Sequence, residues 1–278
     1  MKSNQSTGKE GLMNTFIKRQ VTCLDRMSGK AVSLNLVNEV PLSIFVQGKP
    51  YSVVLRTPGN EIAQVAGFCL AEGIIETPDD FISIEFVDKS DTNRVMVSLK
   101  PSRLNKIGQM IEKRGFVSQT SSGIFGKELA SHILQSIPLQ ADDFKLDIRS
   151  ALECLENLGD HQPLRSKTFA THGAVVCSLE FEVLSSAEDV GRHNGVDKAI
   201  GRLFLDNALD KAAVLLLSSR TSYDLIQKAA RAKISTILSI SRPTLLAVEL
   251  ASKLNLTLAC LAREGGLYIF SGEHRFEK

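Results

Sequence analysis

The sequence AVLLL at residues 213–217 begins the stretch that decides the fold, and TILSI at 236–240 and LTLACL at 256–261 continue it. Each run is short and apolar, which is typical of strands buried on both faces. Helices are predicted between the runs, over Ser222–Lys233 and Thr244–Leu254. Strands that alternate with helices form a mostly parallel sheet with helices packed on it. We therefore predict an α/β (α+β) fold.

The N-terminal half shows a different pattern, in which alternating strands surround one helix. That helix is predicted over Gly59–Glu72, after Pro58 and before Gly73, as helix ends prefer. A hairpin turn is predicted at residues 47–50. The predicted strands are Phe16–Val21, Ala31–Val37, Leu42–Val46, Tyr51–Arg56, Ile82–Val87 and Arg94–Leu99, and further helices are predicted near Ser102–Arg114, Lys127–Ile137 and Asp147–Leu158.

These patterns divide the chain into four parts. Residues 1–13 are predicted to be a disordered leader, and residues 14–115 a β-rich N-terminal part. Residues 116–160 form a loop and helical middle, and residues 161–278 form the α/β part.

Composition excludes several classes of protein. Of 278 residues, 43% are hydrophobic and 23% charged, with a formal net charge of +2, so global charge indicates neither nucleic acid nor a membrane as partner. We see no secretory signal and no apolar run near the roughly 18 residues that a membrane span needs, so we expect a cytoplasmic protein. The five cysteines are far apart and form no CxxC, so neither a local zinc site nor a dithiol is predicted.

Two groups of residues have a structural and a functional interpretation on pattern alone. Gln119–Lys127 carries glycines and hydroxyls before a helix, which fits a flexible capped connection or a mobile loop that presents a group to a partner. His172 lies within Thr168–Ala174, which is predicted as a small, apolar strand. Such a histidine is usually structural.

The densest polar cluster is Glu188–Lys198. Asn194 with Asp197 resembles a helix N-cap followed by an acid in the first turn. Capping does not explain Arg192 and His193, which together with a helix N-terminus would suit an anion. Both interpretations of the cluster stay open.

Two more groups follow predicted strands. Ser218–Ser222 contains Arg220 and hydroxyls, which suits a phosphate in a crevice at a strand end, or else a plain capped helix. Leu261–Gly266 contains Arg263 and two glycines, which indicates either a tight turn or a close backbone approach to a ligand.

Taken in this order, the groups resemble the formate dehydrogenase accessory (FdhD) family over about residues 32 to 275. The Asp189–Lys198 string is long and unusual, so it is the most specific part of the resemblance. The matching residues are Glu39-Val40-Pro41-Leu42, Thr57-Pro58-Gly59, Gly67-Phe68, Glu72-Gly73-Ile74-Ile75, Glu188-Asp189-Val190-Gly191-Arg192-His193-Asn194, Val196-Asp197-Lys198, Ser218, Arg220, Ser222 and Gln227-Lys228-Ala229-Ala230-Arg231.

The resemblance implies a three-layer domain similar to cytidine deaminases, without their zinc, and a smaller β-rich N-terminal region. It implies a homodimer, and formate dehydrogenase and a cysteine desulfurase as partners. In the family, sulfur passes from the desulfurase to a molybdenum (or tungsten) bis pterin guanine dinucleotide cofactor, for which GDP is a mimic. The binding residues it implies are His172, Asp189, Arg192, His193, Asn194, Ser218, Arg220, Ser222, Leu261, Ala262, Arg263, Glu264, Gly265 and Gly266.

The chain departs from the family pattern in two places. The family loop Cys-Gly-x-Cys-Gly corresponds here to Ser122-Gly123-Ile124-Phe125-Gly126, so Ser122 and Phe125 stand where the family has its sulfur-carrying pair. A persulfide needs a thiolate, which neither side chain supplies. The family's Thr-Gly-Gly-x-His corresponds to Thr168–His172, which keeps the histidine and loses both glycines.

We therefore predict a cofactor chaperone that does not relay sulfur through the usual loop. Two alternatives remain: an active sulfurtransferase that uses a displaced cysteine, and a guanine-nucleotide-sensing protein. Whether the chain is an enzyme stays open at this point.

Overall fold

The computed structural model describes residues 14–113, 139 and 143–277. The leader predicted at residues 1–13 and the helix predicted at 127–137 lie outside these residues, as do Ser122 and Phe125. The strands are β1 Phe16–Leu24, β2 Gly29–Val37, β3 Val40–Val46, β4 Lys49–Arg56, β5 Phe81–Asp88, β6 Asp91–Leu99, β7 Leu146–Asp147, β8 His172–Cys177, β9 Val183–Asp189, β10 Val214–Arg220, β11 Thr236–Ser241, β12 Thr257–Leu261, β13 Leu267–Ser271 and β14 Phe276–Glu277. The helices are α1 Glu61–Ala71, α2 Pro101–Lys113, α3 Ile148–Glu156, α4 Pro163–Thr168, α5 Arg192–Leu205, α6 Tyr223–Arg231 and α7 Leu245–Lys253.

The N-terminal half contains a four-stranded sheet in the order β4-β3-β6-β5 and a separate ribbon of β1 and β2. Gln47 and Gly48 make the β3–β4 turn with φ of 52° and 76°, as the hairpin prediction requires. One face of the sheet packs against α1 in the larger hydrophobic core, and this face carries Leu42, Ile44, Val46, Val95, Val97 and Leu99.

The C-terminal half contains a six-stranded sheet in the order β13-β12-β11-β10-β8-β9. Strands β10, β11 and β12 are parallel, which confirms the prediction made from the three apolar runs. The remaining neighbours, β13, β8 and β9, pair antiparallel. The mixed α/β fold class is therefore confirmed, while the specific likeness to cytidine deaminases stays a prediction.

Both faces of the six-stranded sheet are covered. Side chains of α5, α6 and α7 share the larger core with one face, and side chains of α3 share a second core with the other. The division of the chain at residues 115 and 160 stays a prediction.

The two halves meet where α1 crosses α5. A Cβ atom on Gly67 would collide with the backbone of Asp197, and one on Gly201 with the backbone of Ala63. Two helices approach this closely only where side chains are absent. These glycines let α1 pack closely against α5, the helix that begins within the polar cluster Glu188–Lys198.

Two local expectations were wrong. Helix α5 begins at Arg192 with Gly191 as its N-cap, so Asn194 lies inside the helix and does not cap it. The segment around His172 is also not one strand. Thr168 ends α4, Phe169 adopts a left-handed φ of 57°, and the strand begins only at His172.

Candidate functional site

Most of the predicted site residues lie at one end of the strands in the six-stranded sheet, which is here called the strand-end edge. The parallel strands β10, β11 and β12 all end at this edge. His172, which begins β8, is paired with Asp189, which ends β9, and β8 runs antiparallel to β10. The edge therefore brings together groups that are up to about 90 residues apart in the sequence, at the place where open α/β sheets form ligand crevices.

Three arginines surround His172. Burial lowers the pKa of His172, and the positive charges of Arg192, Arg165 and Arg220 lower it further, as does His193. Burial also lowers the pKa of Arg192, and Arg220 adds to this effect by repulsion. These arginines repel one another in a partly desolvated place, which favours the binding of an anion.

Two buried polar atoms in this cluster have no hydrogen-bond partner among the described residues. They are Nδ1 of His172 and Nε of Arg192. Leaving such groups unpaired costs free energy, so an external oxygen acceptor would stabilise Arg192 in this position. The N-terminus of α5 adds its own partial positive charge at Arg192.

His193 links this cluster to α6. Its Nε2 lies 3.5 Å from Ser222 Oγ and 3.5 Å from Asp224 Oδ2. The hydrogen bond from His193 lowers the pKa of Asp224. Serine and aspartate contact the same ring nitrogen, so the three residues do not form a nucleophilic triad, in which the two ring nitrogens have different partners. His193 instead ties the start of α5 to the start of α6.

Asp189 is fully buried, and both its oxygens are used by the protein itself. Oδ2 accepts from Thr57 N at 3.0 Å and Lys198 Nζ at 2.6 Å, and Oδ1 accepts from Gly191 N at 2.8 Å and Asn194 Nδ2 at 3.0 Å. A carboxylate with this many donors supports the loop before α5.

The loop is held from the N-terminal half as well. Asn194 Nδ2 donates to Leu55 O at 2.7 Å, and Lys198 Nζ donates to Thr57 O at 2.7 Å. Val190 N donates to Thr57 Oγ1 at 3.0 Å. Asp189 and Asn194 therefore position Arg192 and the start of α5, and a direct contact of either with a ligand stays a prediction.

The other predicted residues are also at the edge. Ser218 Oγ accepts from Gly173 N at 2.8 Å and ties β10 to β8, while Ser222 is the N-cap of α6. Arg220 ends β10 and is exposed. These positions agree with a crevice at the end of β10.

Residues 261–266 form the tight turn of the β12–β13 hairpin. Ala262 N donates to Gly266 O at 2.9 Å, and Gly265 and Gly266 have φ of 82° and 89°. Arg263 and Glu264 project from the turn and are exposed, while Leu261 pairs with Leu267. The glycines are explained by the turn itself, which leaves Arg263 available at the edge.

Arg242 was not predicted as a site residue from the sequence. It directly follows β11 and is exposed, so each of the three parallel strands is ended or closely followed by an arginine, namely Arg220, Arg242 and Arg263. Neighbouring strands lie about 4.8 Å apart, which spaces these residues along the edge. The signal was available, because Arg242 follows the run TILSI much as Arg263 follows LTLACL.

The sulfur and metal chemistry of the described residues is limited. Cys69, Cys177 and Cys260 are buried, Cys154 is half-buried and Cys23 is exposed. Burial raises the pKa of Cys177 to about 12 and raises that of Cys69 further, so neither is a thiolate at neutral pH. No cluster of three metal-ligating side chains occurs in the described ranges.

The fold and the edge define a class: an α/β protein with a cluster of arginines at the ends of parallel strands. The sequence profile of the FdhD/NarQ family matches residues 37–277. This chain therefore belongs to the FdhD/NarQ family.

Individual relatives agree. The sulfur carrier protein FdhD of Streptomyces avermitilis is 34% identical over 250 residues, covering 86% of this chain and 88% of the relative. The protein of that name in Bordetella petrii is 30% identical over 240 residues, covering 86% of each chain. A crystal structure from Desulfotalea psychrophila, assigned as a formate dehydrogenase accessory protein, has a TM-score of 0.75 at 22% identity and covers 95% of this chain and 100% of its own. That structure supports the fold. Among the described helices, none has the length and apolar character for crossing a membrane.

Proposed function

We propose that this chain binds the molybdenum (or tungsten) bis pterin guanine dinucleotide cofactor as cargo in the maturation of formate dehydrogenase, without relaying sulfur. The observation that carries the proposal is the cluster of Arg192, Arg220 and His172 with its unpartnered buried nitrogens. Diphosphates carry several charges and many acceptor oxygens, so they match this cluster better than a neutral ligand does.

The residues fit the phosphate part of such a cargo. Arg192 and the N-terminus of α5 supply donors on one side, and Arg220 and the N-terminus of α6 on the other. Arg263 extends the positive edge beyond β11. His172 has a buried Nδ1 that would meet an oxygen of the ligand.

We propose that this chain has lost one part of the family function, the transfer of sulfur. Ser122 and Phe125 supply no thiolate, and three of the five cysteines are buried. Cys23 is exposed but lies on the β1–β2 ribbon, which is separate from the six-stranded sheet whose strand ends carry the arginines. We further propose a cytoplasmic homodimer with formate dehydrogenase as client, which rests on family membership.

Expression in a host that makes the dinucleotide tests the proposal. The purified protein is expected to carry the cofactor, seen as an oxidised pterin and GMP after denaturation, and Arg220→Ala is expected to carry much less. In a strain that lacks a cysteine-bearing relative, the wild type is expected to leave formate dehydrogenase inactive. Purified wild type without pterin or GMP would contradict cargo binding, and full rescue of the strain would contradict the loss of sulfur transfer.

The guanine-nucleotide-sensing alternative gives a different result. A sensor would bind GDP with its arginines yet carry no pterin from such a host. The active sulfurtransferase alternative requires a persulfide on another cysteine, for which Cys23 is the exposed candidate.

A further inference from the structure

The ribbon of β1 and β2 is separate from the larger sheets of the described chain. Its two strands pair along their whole length without a bulge. The ribbon contacts α4, since Asn35 Nδ2 donates to Lys167 O at 3.5 Å and Lys167 Nζ lies 5.8 Å from the ring centroid of Phe16. A two-stranded ribbon is at most marginally stable by itself in water, so further contacts would stabilise it.

The two faces of the ribbon differ in polarity. Directly opposed residues of an antiparallel pair share a face, and successive residues of a strand alternate between faces. Phe16 and Asn35 lie on the same face, which therefore turns toward α4 and otherwise carries mostly polar side chains such as Lys18 and Gln20. The apolar residues of the other face are Ile17, Val21, Val32, Leu34 and Leu36.

The described residues leave this apolar face largely uncovered. Leu34 is 49% exposed, Leu36 45% and Ile17 43%. A two-faced sheet normally buries its apolar face and exposes its polar face, and the ribbon does the reverse. A contiguous apolar patch on a surface marks a site of interaction.

The ribbon is also basic, which indicates the charge of its partner. Asp25 is the one carboxylate of residues 16–37, and it accepts hydrogen bonds from the backbone of its own turn. Two positively charged ribbons would repel each other, so the charge favours an acidic partner over a second copy of this chain. The exposed cations of the ribbon are Lys18, Arg19, Arg26 and Lys30.

The chain's own segments outside the described residues do not supply an acidic partner. Residues 1–13 contain two lysines and one glutamate, and residues 114–138 contain one arginine, one lysine and one glutamate. Both segments carry more cations than carboxylates, so the charge of the ribbon favours a segment of another protein.

The outer edge of β1 decides between a protein and an anionic lipid surface. Among the described strands β1 pairs only with β2, so its other edge presents unpaired N–H and C=O groups, and α4 lies against β2. An extended peptide pairs with such an edge as an added strand. Lipid hydrocarbon cannot satisfy these backbone groups, which makes insertion of the ribbon into a bilayer costly.

We propose that the β1–β2 ribbon docks an extended, acidic segment of another protein, which adds as a third strand beside β1. Apolar side chains of that segment continue the face of Ile17 and Leu34, and its carboxylates pair with Lys18 and Arg19. The two cations also oppose the pairing of β1 with a second β1, as charged side chains on sheet edges do. The ribbon is separate from the strand-end edge, so this docking does not depend on cofactor binding.

Binding of a labelled peptide to the full chain, followed by fluorescence anisotropy, tests the proposal. The probe matches β1 in its length of nine residues and alternates valine with glutamate; a second peptide has lysine in place of glutamate. The acidic peptide is expected to bind and the basic one is not. Lys18→Glu with Arg19→Glu is expected to weaken binding about tenfold through charge repulsion, and Leu34→Ser with Leu36→Ser about tenfold through lost apolar burial.

Two double variants are matched controls. Val53→Ser with Leu55→Ser changes two residues of β4, which are 59% and 57% exposed on a strand that also ends its sheet. Lys211→Glu with Lys253→Glu reverses two exposed charges outside the ribbon. Both are expected to bind the acidic peptide like the wild type. The peptide is also expected to slow amide hydrogen exchange within residues 16–24, because an added strand pairs with the free edge of β1.

Several results would overturn the proposal. They are no binding of the acidic peptide, equal binding of the basic peptide, an equal loss in the β4 variant, and unchanged hydrogen exchange within β1. Binding to phosphatidylserine vesicles that depends on Lys18 and Arg19, without binding of the peptide, would replace the protein partner with a membrane. Dissociation of an oligomer by Leu34→Ser with Leu36→Ser in sedimentation velocity would show that the ribbon binds a second copy instead.

Discussion

Lys198 Nζ lies 2.6 Å from Asp189 Oδ2, and both residues are almost completely buried where the two halves of the chain meet. Each also bonds to the backbone of Thr57. Arg192 lies three residues after Asp189, so this ion pair ties the position of Arg192 to the N-terminal sheet. A contact between the halves thus shapes the proposed ligand site.

Lys198→Met tests this coupling. Breaking a buried ion pair typically costs about 3–5 kcal/mol, because the remaining charge is left uncompensated. We expect a lower melting temperature and a GDP affinity reduced about tenfold or more in the folded protein, measured by calorimetry well below the transition.

Lys228→Met is the matched control. Lys228 forms a second buried ion pair with the same helix, at 2.6 Å from Asp197 Oδ1, and it does not touch Thr57 or Asp189. It is expected to lower stability while GDP affinity stays close to that of the wild type. Asp189→Asn combined with Lys198→Met removes both charges, so it folds with a smaller penalty and is still expected to bind GDP weakly. Equal affinity in all variants would contradict the coupling.

Ligand binding is expected to depend on pH through His172. Burial and the neighbouring arginines lower the pKa of His172 below its usual value of about 6.5, so the imidazole is neutral at pH 7 without ligand. A bound phosphate favours the charged form and raises this pKa, so binding takes up a proton. Protonation of His172 therefore strengthens ligand binding as pH falls from about 7 to about 5. The ligand also takes up protons in this range, but that effect is the same for all variants.

Calorimetry in buffers with different ionisation enthalpies measures that proton. His172→Gln is expected to take up less proton than the wild type over this range and to lose part of the pH dependence. Identical proton uptake in the two proteins would show that His172 does not face the ligand.

Phe169→Gly is expected to stabilise the protein. Phe169 has φ of 57° and its side chain is 83% exposed, so it carries the cost of a left-handed residue without the benefit of burial. That cost is about 1 kcal/mol. The family pattern has a glycine at this position, where the left-handed conformation carries no such cost. Asn207→Gly is the comparison, because Asn207 has a similar φ of 53° and asparagine tolerates it. Chemical denaturation should show a gain for Phe169→Gly and almost none for Asn207→Gly.

The wild type is not expected to accept sulfur. After incubation with a cysteine desulfurase and labelled cysteine, non-reducing mass analysis should show no stoichiometric persulfide, because the loop has Ser122 and Phe125. Alkylation of the native protein should reach Cys23 first and leave Cys69 and Cys177 unmodified until unfolding. A stoichiometric persulfide on any cysteine would contradict the non-relaying proposal.

The double variant Ser122→Cys with Phe125→Cys is the positive counterpart. The loop keeps Gly123, Gly126 and Lys127, so some sulfur acceptance is expected to return. A folded double variant without persulfide, beside a competent relative, would show that more than the thiols has been lost.

Sequence patterns predicted the strands and helices that carry a clear apolar run or a clear helical spacing in their own residues. The parallel strands and α1 follow from short apolar runs and helical spacing. Strand β9 was missed because Ser185, Ser186 and Glu188 make it polar, although it pairs with β8 along the sheet. Its burial depends on a partner strand that no local pattern shows.

The sequence predicted part of the candidate site. It nominated Arg192 and Arg220 as anion ligands from their position near strand ends and helix starts, and their binding of an anion stays a prediction. The supporting roles of Asp189 and Asn194 depend on Leu55 and Thr57, more than 130 residues away in the sequence. Only tertiary structure brings such residues together, so their family pattern was first interpreted as direct ligand binding.

Calorimetry with GDP on the wild type, Arg220→Ala and Arg263→Ala tests the central claim most directly, with Arg94→Ala as control because Arg94 is an exposed arginine on β6 in the N-terminal sheet. We expect the wild type and Arg94→Ala to bind GDP with equal affinity. We expect Arg220→Ala and Arg263→Ala each to lose about tenfold to a hundredfold in GDP affinity, since a charge-assisted contact contributes about 1.5–3 kcal/mol. No binding by the wild type at millimolar GDP would contradict the claim, and equal binding by all four proteins would show that the site lies elsewhere.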